Sequence, residues 1–210
     1  MNTTPSTERR PIAEVVGEVA GAFIADLQRG YLADRSSAVA ALAQLRRGAG
    51  KVPEDVPELW GVSGTEELLN RQDWSEREKA RAEAAHFLAV TLYALHQQSR
   101  VNHGMHRRGA ELGTAVRQLM PGGDIDEPIR RRFVHLGTAT TGDALADRLR
   151  GIVSLLRRES IPLDYGLLAG QLYQAQVPDG MREVRRRWGR GFHSYRPNVS
   201  PTDAPTDKDT

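Results

Sequence analysis

SEREKARAEAAHFLAVTLYALHQQ, residues 75–98, decides the fold. Ser75 followed three places on by Glu78 is a capping box, in which hydroxyl and carboxylate each satisfy the other residue's backbone amide. Beyond that start signal Phe87, Leu88, Thr91, Leu92 and Leu95 recur at spacings of three and four, the period of a helix that turns one face inward. From Ala84 to Ser99 there is no Asp, Glu, Lys or Arg. This is therefore the most apolar helix of the chain, and it belongs at the centre of a bundle. With His86, His96, Gln97 and Gln98 inside it, the stretch is too short and too polar to span a bilayer.

Upstream, Pro11 opens a helix carrying Ile12, Val15, Val19, Phe23 and Leu27 on one face, and Gly30 is its expected stop. Asp34 and Ser36 offer caps for a second helix through Val39, Leu42 and Leu45, ending at Arg46-Arg47-Gly48. Pro53 and Pro57 then lead to Leu59-Trp60, expected as an anchor in the core. Downstream lies a polar, basic segment from Arg100 to Arg108. Helices are expected over Gly109–Met120, Glu127–Ala139, Asp143–Glu159, Tyr165–Gln176 and Met181–Phe192, parted by Pro-Gly-Gly, Thr-Thr-Gly, Ile-Pro-Leu-Asp and Pro-Asp-Gly. No stretch alternates at period two, and 24 Ala and 21 Leu against 15 Val and 6 Ile weigh the same way. The expected fold is all-α, a helical bundle with an N-terminal helical subdomain (residues 11–99) and a basic C-terminal one (residues 100–196). A disordered leader (1–10) and a disordered acidic tail (197–210) flank them.

The 210 residues contain no cysteine, which excludes disulfides, thiolate zinc sites, iron–sulfur clusters and cysteine nucleophiles. No apolar signal segment follows Met1, so the expected compartment is the cytoplasm, with no membrane partner. Catalytic constellations fail in turn. Gly48-Ala49-Gly50-Lys51-Val52 resembles the end of a phosphate-binding loop, but Leu45 stands where the first glycine is needed and Val52 replaces the magnesium-binding hydroxyl. His96, His103 and His106 have neither the helical pairing nor the carboxylates of a metal site, Glu111 excepted, and are expected as surface or phosphate-contacting groups. Asp124, Asp126 and Glu127 suit a loop and a helix start. The expectation is a protein that is not an enzyme and uses no metal or cofactor.

Charge supplies the positive signal. Residues 1–95 carry 11 basic and 14 acidic side chains; residues 96–196 carry 17 basic and 10 acidic, and every one of those 17 is arginine. Arginine outnumbers lysine 26 to 3. A GC-rich genome would enrich arginine and alanine together, but clustering favours a polyanion partner, since the planar guanidinium suits phosphate and stacks on bases. On the helix from Glu127, with Ile129, Phe133 and Leu136 inward, Arg131 points directly away and Arg130 and Arg132 flank it. On the next helix Arg150 and Arg157 share an outer face. On the last, Arg186 and Arg190 oppose the stripe of Met181, Val184, Trp188 and Phe192. Such faces track a phosphate backbone without reading bases. The aromatics Trp60, Trp74, Trp188, Phe87, Phe133, Tyr165 and Phe192 are expected in the core.

The order of motifs resembles the CasB family, the small subunit of the type I-E CRISPR complex Cascade. The resemblance rests on Ala41-Leu42-Ala43-Gln44-Leu45-Arg46-Arg47, Leu59-Trp60, the long apolar helix to Leu95-His96, Gly109-Ala110-Glu111-Leu112-Gly113 and Arg131-Arg132-Phe133-Val134-His135-Leu136. It continues through Leu149-Arg150, Leu155-Leu156-Arg157, Pro162-Leu163-Asp164-Tyr165 and Val184-Arg185-Arg186-Arg187-Trp188-Gly189. It implies a non-catalytic, all-helical subunit of a larger assembly, with other Cascade proteins, the CRISPR guide RNA, the target and displaced DNA strands and a second copy of itself as partners. It also implies phosphate contacts at Arg46, Arg47, Arg131, Arg132 and Arg150, with Arg107 or Arg108 standing in where Ala110-Glu111 departs from relatives. Gln171 and the segment Tyr173 to Gln176 likewise replace an acidic residue and a tryptophan. The reading is a clamp that holds target DNA in the R-loop during antiviral defence. Two other classes compete with it: a stand-alone helical DNA-binding regulator, which needs a base-reading helix, and an enzyme built on His96 to His106.

Overall fold

The computed structural model describes residues 10–120 and 124–195. The leader up to Glu8-Arg9, the Pro-Gly-Gly connection and the acidic tail lie outside the described residues. Among those described there are nine α-helices, with no strand beyond an isolated bridge between His106 and Leu163. The capping box forms: the amide of Glu78 donates to Ser75 Oγ at 3.3 Å, and the amide of Ser75 donates to Glu78 Oε2 at 2.7 Å.

The helix that this box starts, α4 (Glu76–Gln97), is sheathed by α1 (Ile12–Leu32), α2 (Ser36–Leu45), the short α3 (Glu66–Leu69), α7 (Gly142–Arg158) and α8 (Tyr165–Ala175). The inward stripe read from the sequence is too narrow. Ala82, Ala85, His86, Ala89, Val90, Tyr93, Ala94, His96 and Gln97 are buried along with Phe87, Thr91 and Leu92, while Leu88 and Leu95 are only partly so. From Ala82 to Gln97 no residue of the helix is exposed, so on this fully packed stretch small and polar residues become core residues.

The first helix lies along α8, and glycines let the two backbones touch. A Cβ on Gly17 would sit 2.9 Å from the Gly166 carbonyl oxygen, and one on Gly170 would sit 2.6 Å from that of Ala13. A second close pairing joins α5 (Leu112–Gln118) to α9 (Gly180–Ser194). Gly113 there lies against the carbonyl of Trp188, and the Trp188 indole donates to Gln171 Oε1 at 2.7 Å. Gln171, one of the departures from relatives, is thus a buried acceptor. The remaining helix, α6 (Glu127–Gly137), packs on α7 and stacks Phe133 on Phe192 with ring centroids 5.3 Å apart. One apolar cluster runs through α1, α4, α7, α8 and α9.

Four local expectations are corrected. Helix α1 continues through Gly30 to Leu32, and Asp34, at φ 52°, makes the turn instead. Neither Asp34 nor Ser36 caps α2, whose N-cap is Arg35 with no side-chain bond. Helix α5 begins at Leu112 rather than Gly109, because Gly109 sits at φ 77° and Glu111 is extended. Trp60 is not a core anchor: Leu59 is 1% exposed, packed with Val56 and Phe87, while Trp60 is 68% exposed. Leu59 ends a tight 3-10 turn (Pro57–Leu59) and Trp60 leaves it in extended conformation, and of the two only Leu59 enters the core.

A methyl group at position 113 has no room, since its neighbours are backbone atoms of α9. Gly113→Ala is expected to cost about 3 kcal/mol, lowering Tm by roughly 6–12 °C, whereas Trp60→Ala leaves Tm within about 2 °C. Calorimetry of the two variants checks both.

Candidate nucleic-acid interface

The arginine-bearing elements are neighbours, since α6 packs on α7 and its Phe133 on α9. On α6, begun by Asp126 accepting the Ile129 amide at 2.9 Å, Arg130, Arg131 and Arg132 are all exposed. Arg130 is held by Glu127 at 3.0 Å, whereas Arg131 and Arg132 have no ion-pair partner among the described residues. The inward stripe is shallow here, for Leu136 is buried but Ile129 and Phe133 only partly. On α9, Arg186 and Arg187 share Glu183 at 2.6 and 3.5 Å, and Arg190 is exposed with no acidic partner among the described residues. On α7, Arg150 is exposed, while Arg157 is half-buried and donates to Gln98 Oε1 at 2.9 Å.

The structure adds a juxtaposition that spacing alone does not reveal. The turn after α2 carries exposed Arg47 and half-buried Arg46, and its Gly50 backbone lies against the aliphatic stem of Arg150. The turn that follows these two arginines thus lies beside a residue 100 positions further along the chain, Arg150.

Arg107 and Arg108 sit on the loop between α4 and α5, both exposed, and that loop is pinned from several sides. Gln28 on α1 accepts the His106 amide at 2.8 Å and donates to the His106 carbonyl at 3.1 Å. Buried Gln97 accepts the Met105 amide at 2.8 Å while donating to the carbonyls of Arg100 at 2.6 Å and His103 at 2.9 Å. Asp164 accepts the amides of Gly109 at 2.7 Å and Leu167 at 2.9 Å, and the Arg107 amide donates to the Leu163 carbonyl at 3.2 Å. Gln28 and Gln97 carry no sequence signal for this role, because it depends on a loop that folds back over them.

The same loop corrects the histidine expectation. His96 is fully buried, its Nδ1 2.8 Å from the Tyr165 hydroxyl; His106 is buried, its Nδ1 accepting the Tyr165 amide at 3.2 Å; only His103 is exposed. The two buried rings converge on a tyrosine, and no group of three potential ligands occurs among the described residues. Burial depresses the pKa values of His86, His96 and His106, that of His96 to about 3, with Arg100 and Arg157 adding to the effect on His96 and nearby carbonyls opposing it.

Three further arginines are bound to carbonyls. Arg100 donates from Nε to the Arg157 carbonyl at 3.1 Å and also reaches Arg158, closing the end of α7. Arg148 reaches the His135 carbonyl at the end of α6, and Arg185 the Ala139 carbonyl at 3.3 Å. A groove of about 710 Å³ between α1, α8 and α9 mixes Arg108 and Arg187 with Glu14, Glu18, Asp164 and Glu183. Its acids make it a poor seat for phosphate. Among the described residues no helix is long and apolar enough to cross a membrane.

Comparison with known proteins bears on this surface. The model of the CRISPR-associated protein Cse2 family matches residues 41–193. The crystal structure of CasB from Thermobifida fusca is similar, with 51% sequence identity, a TM-score of 0.77, and coverage of 85% of this chain and 98% of that one. A chain of a CRISPR RNA-guided surveillance complex shares the fold at 22% identity and a TM-score of 0.63, covering 85% of this chain and 93% of that one. No match is found among curated proteins.

The buried imidazoles set a pH dependence. The folded state keeps His96 neutral down to about pH 3, whereas an unfolded histidine takes up a proton near 6.5. Unfolding therefore binds a proton between those values, so stability is fully present above pH 6.5 and is lost as pH falls below it. For His96 the loss is about 2 kcal/mol by pH 5, and His86 and His106 act in the same direction. Urea midpoints should fall from pH 7.5 to pH 5, less steeply in His96→Gln.

Proposed function

Since the chain belongs to the CRISPR-associated Cse2 family, we propose that it is the small subunit of a CRISPR effector complex of the Cascade type, holding nucleic acid by arginine faces without reading sequence. The observation that carries this is the pair Arg131 and Arg132, exposed on a helix whose other side is packed, with no acidic partner among the described residues. Arginine left without an ion pair on a solvent face retains its fork for phosphate. Arg46, Arg47 and Arg150 at the turn, Arg107 and Arg108 on the pinned loop, and Arg130, Arg157, Arg186 and Arg190 on α6, α7 and α9 extend the surface.

The partners in this reading are the other protein subunits, the guide RNA, the target and displaced DNA strands, and a second copy of the chain. The relative found in an RNA-guided surveillance complex supports an assembly of this kind. Of the sequence halves 11–99 and 100–196, which share one apolar core, the second carries most of the cations. The subunit works in the cytoplasm and performs no chemistry of its own; its contribution is to make the opened DNA costly to close. Sequence indifference follows from the absence of a base-reading element among the described residues, and strong salt dependence follows from phosphate neutralisation.

Charge reversal tests the reading. Arg131→Glu with Arg132→Glu is expected to leave Tm within about 2 °C, because both side chains are exposed. It should weaken DNA binding at least about tenfold, or about 1.4 kcal/mol. The same reversal at Arg9 and Arg10, outside the basic half, should change affinity less than about threefold. In a reconstituted complex guide RNA is retained while R-loop formation is impaired. Equal binding by the two double mutants sinks the assignment.

A further inference from the structure

The chain carries a second charged surface, opposite in sign to the first. From Val52 to Asn70 there are five acids, Glu54, Asp55, Glu58, Glu66 and Glu67, and neither lysine nor arginine. The first three lie on two consecutive 3-10 turns, Pro53–Asp55 and Pro57–Leu59. Backbone bonds stitch these turns together: the Val56 amide donates to the Pro53 carbonyl at 3.3 Å, the Leu59 amide to that of Val56 at 2.9 Å, the Trp60 amide to that of Pro57 at 3.1 Å and the Val62 amide to that of Leu59 at 3.0 Å. Their inner side is fixed to the core, with Val56 and Leu59 packed on Phe87 of α4. Trp60 is left 68% exposed at the end of the second turn, and Val52 37% exposed at the start of the first. The most exposed large apolar side chain among the described residues thus stands on a fixed base.

The acids of these turns have no cation. Glu54, Asp55 and Glu58 are exposed and make no ion pair among the described residues, not even with Lys51, which directly precedes the turns. What α4 brings to Glu54 is another carboxylate: Glu83, partly buried, has its pKa raised by burial first and by the charge of Glu54 next. Phosphate is repelled from such a place. A cation is attracted to it, because carboxylates hold guanidinium and ammonium groups by charge-assisted hydrogen bonds and an indole face draws them through its ring quadrupole. Tryptophan and arginine are also the residues that concentrate binding energy where two proteins meet. The exposed arginines of this chain serve nucleic acid in the reading above, so the cation comes from a different protein.

We propose that Trp60, with Glu54, Asp55 and Glu58 on the same pair of turns, is a docking surface that receives a basic segment of another protein subunit, an arginine or lysine of that segment lying over the indole. The proposal rests on the assembly reading above and adds to it the place and the charge of one contact.

The test titrates the full-length chain onto the guide-RNA complex reconstituted from the other subunits, without DNA. Trp60→Ala should weaken incorporation at least about tenfold, as should the triple reversal Glu54→Lys, Asp55→Lys, Glu58→Lys. Trp60→Phe, which keeps an aromatic face, should lose less than about threefold. Trp60→Ala and the triple reversal should keep Tm within about 2 °C of native and bind duplex DNA at least as tightly as the native chain. The Arg131, Arg132 double mutant should incorporate normally, since its defect lies on the other surface. Incorporation of Trp60→Ala or of the triple reversal at native strength overturns the docking surface while the assembly reading stands. Weakened DNA binding by Trp60→Ala gives the indole to nucleic acid and overturns it too. So does self-association of the isolated chain that Trp60→Ala abolishes, which gives the surface to a second copy. A native chain that does not join the complex overturns the assembly reading and the proposal with it.

Discussion

A phenol buried away from water needs a hydrogen-bond partner, and satisfying Tyr165 draws three stretches of chain together. Its hydroxyl lies 2.8 Å from His96 Nδ1 on α4, and its amide donates to His106 Nδ1 on the loop after α4. Its ring meets Tyr93 edge-on at 5.5 Å, and its neighbour Gly166 touches α1. The central helix, the loop carrying Arg107 and Arg108, and the α1–α8 crossing therefore come together around one residue. Neutral histidines suit this task, since a proton on His106 Nδ1 would remove the acceptor that the Tyr165 amide requires.

Arginine divides into two populations that composition does not separate. Arg100, Arg148 and Arg185 spend their donors on carbonyls at the ends of α7 and α6 or just beyond them. These bonds tie one helix to the next where backbone acceptors lack intrahelical partners. Arg131, Arg132, Arg150 and Arg190 have exposed side chains with no acidic partner among the described residues. The first population makes the second possible, because α6 has a shallow buried face and depends on Arg148 and the Phe133–Phe192 stack to stay in place. Acidic residues also divide. Glu127 and Glu183 restrain cations on their own helices, while Asp126 and Asp164 cap helix starts.

The helices were legible from period and punctuation: the capping box at Ser75, the apolar spacing of α1 and α7, and the Ile-Pro-Leu-Asp break before α8 all act within a few residues. What the sequence concealed acts over longer distances. Gln97 reads as a polar residue at a helix end, yet it is buried because the loop that it clamps folds back over it. The contact of Gly50 with Arg150 requires the turn after α2 to lie beside α7, which no local pattern encodes. Leu59-Trp60 presents two large apolar residues together, and only the direction of the turn decides which is inside. Within the candidate interface, the exposed faces of α6 and α9 followed from helical periodicity, whereas the pairing of Arg157 with Gln98, 59 residues away, became apparent only from the packed chain.

The tryptophans give the protein an optical asymmetry. Trp74 and Trp188 are 5% and 3% exposed, and Trp60 is 68% exposed. In the native state an aqueous quencher reaches one indole and spares two. The fluorescence of the chain therefore has a shielded component that reports on the integrity of the bundle and an open one confined to the acidic, proline-bounded turn near α3. Anything that covers that turn would blue-shift the open component and leave the other unchanged, so assembly can be followed without attaching a dye.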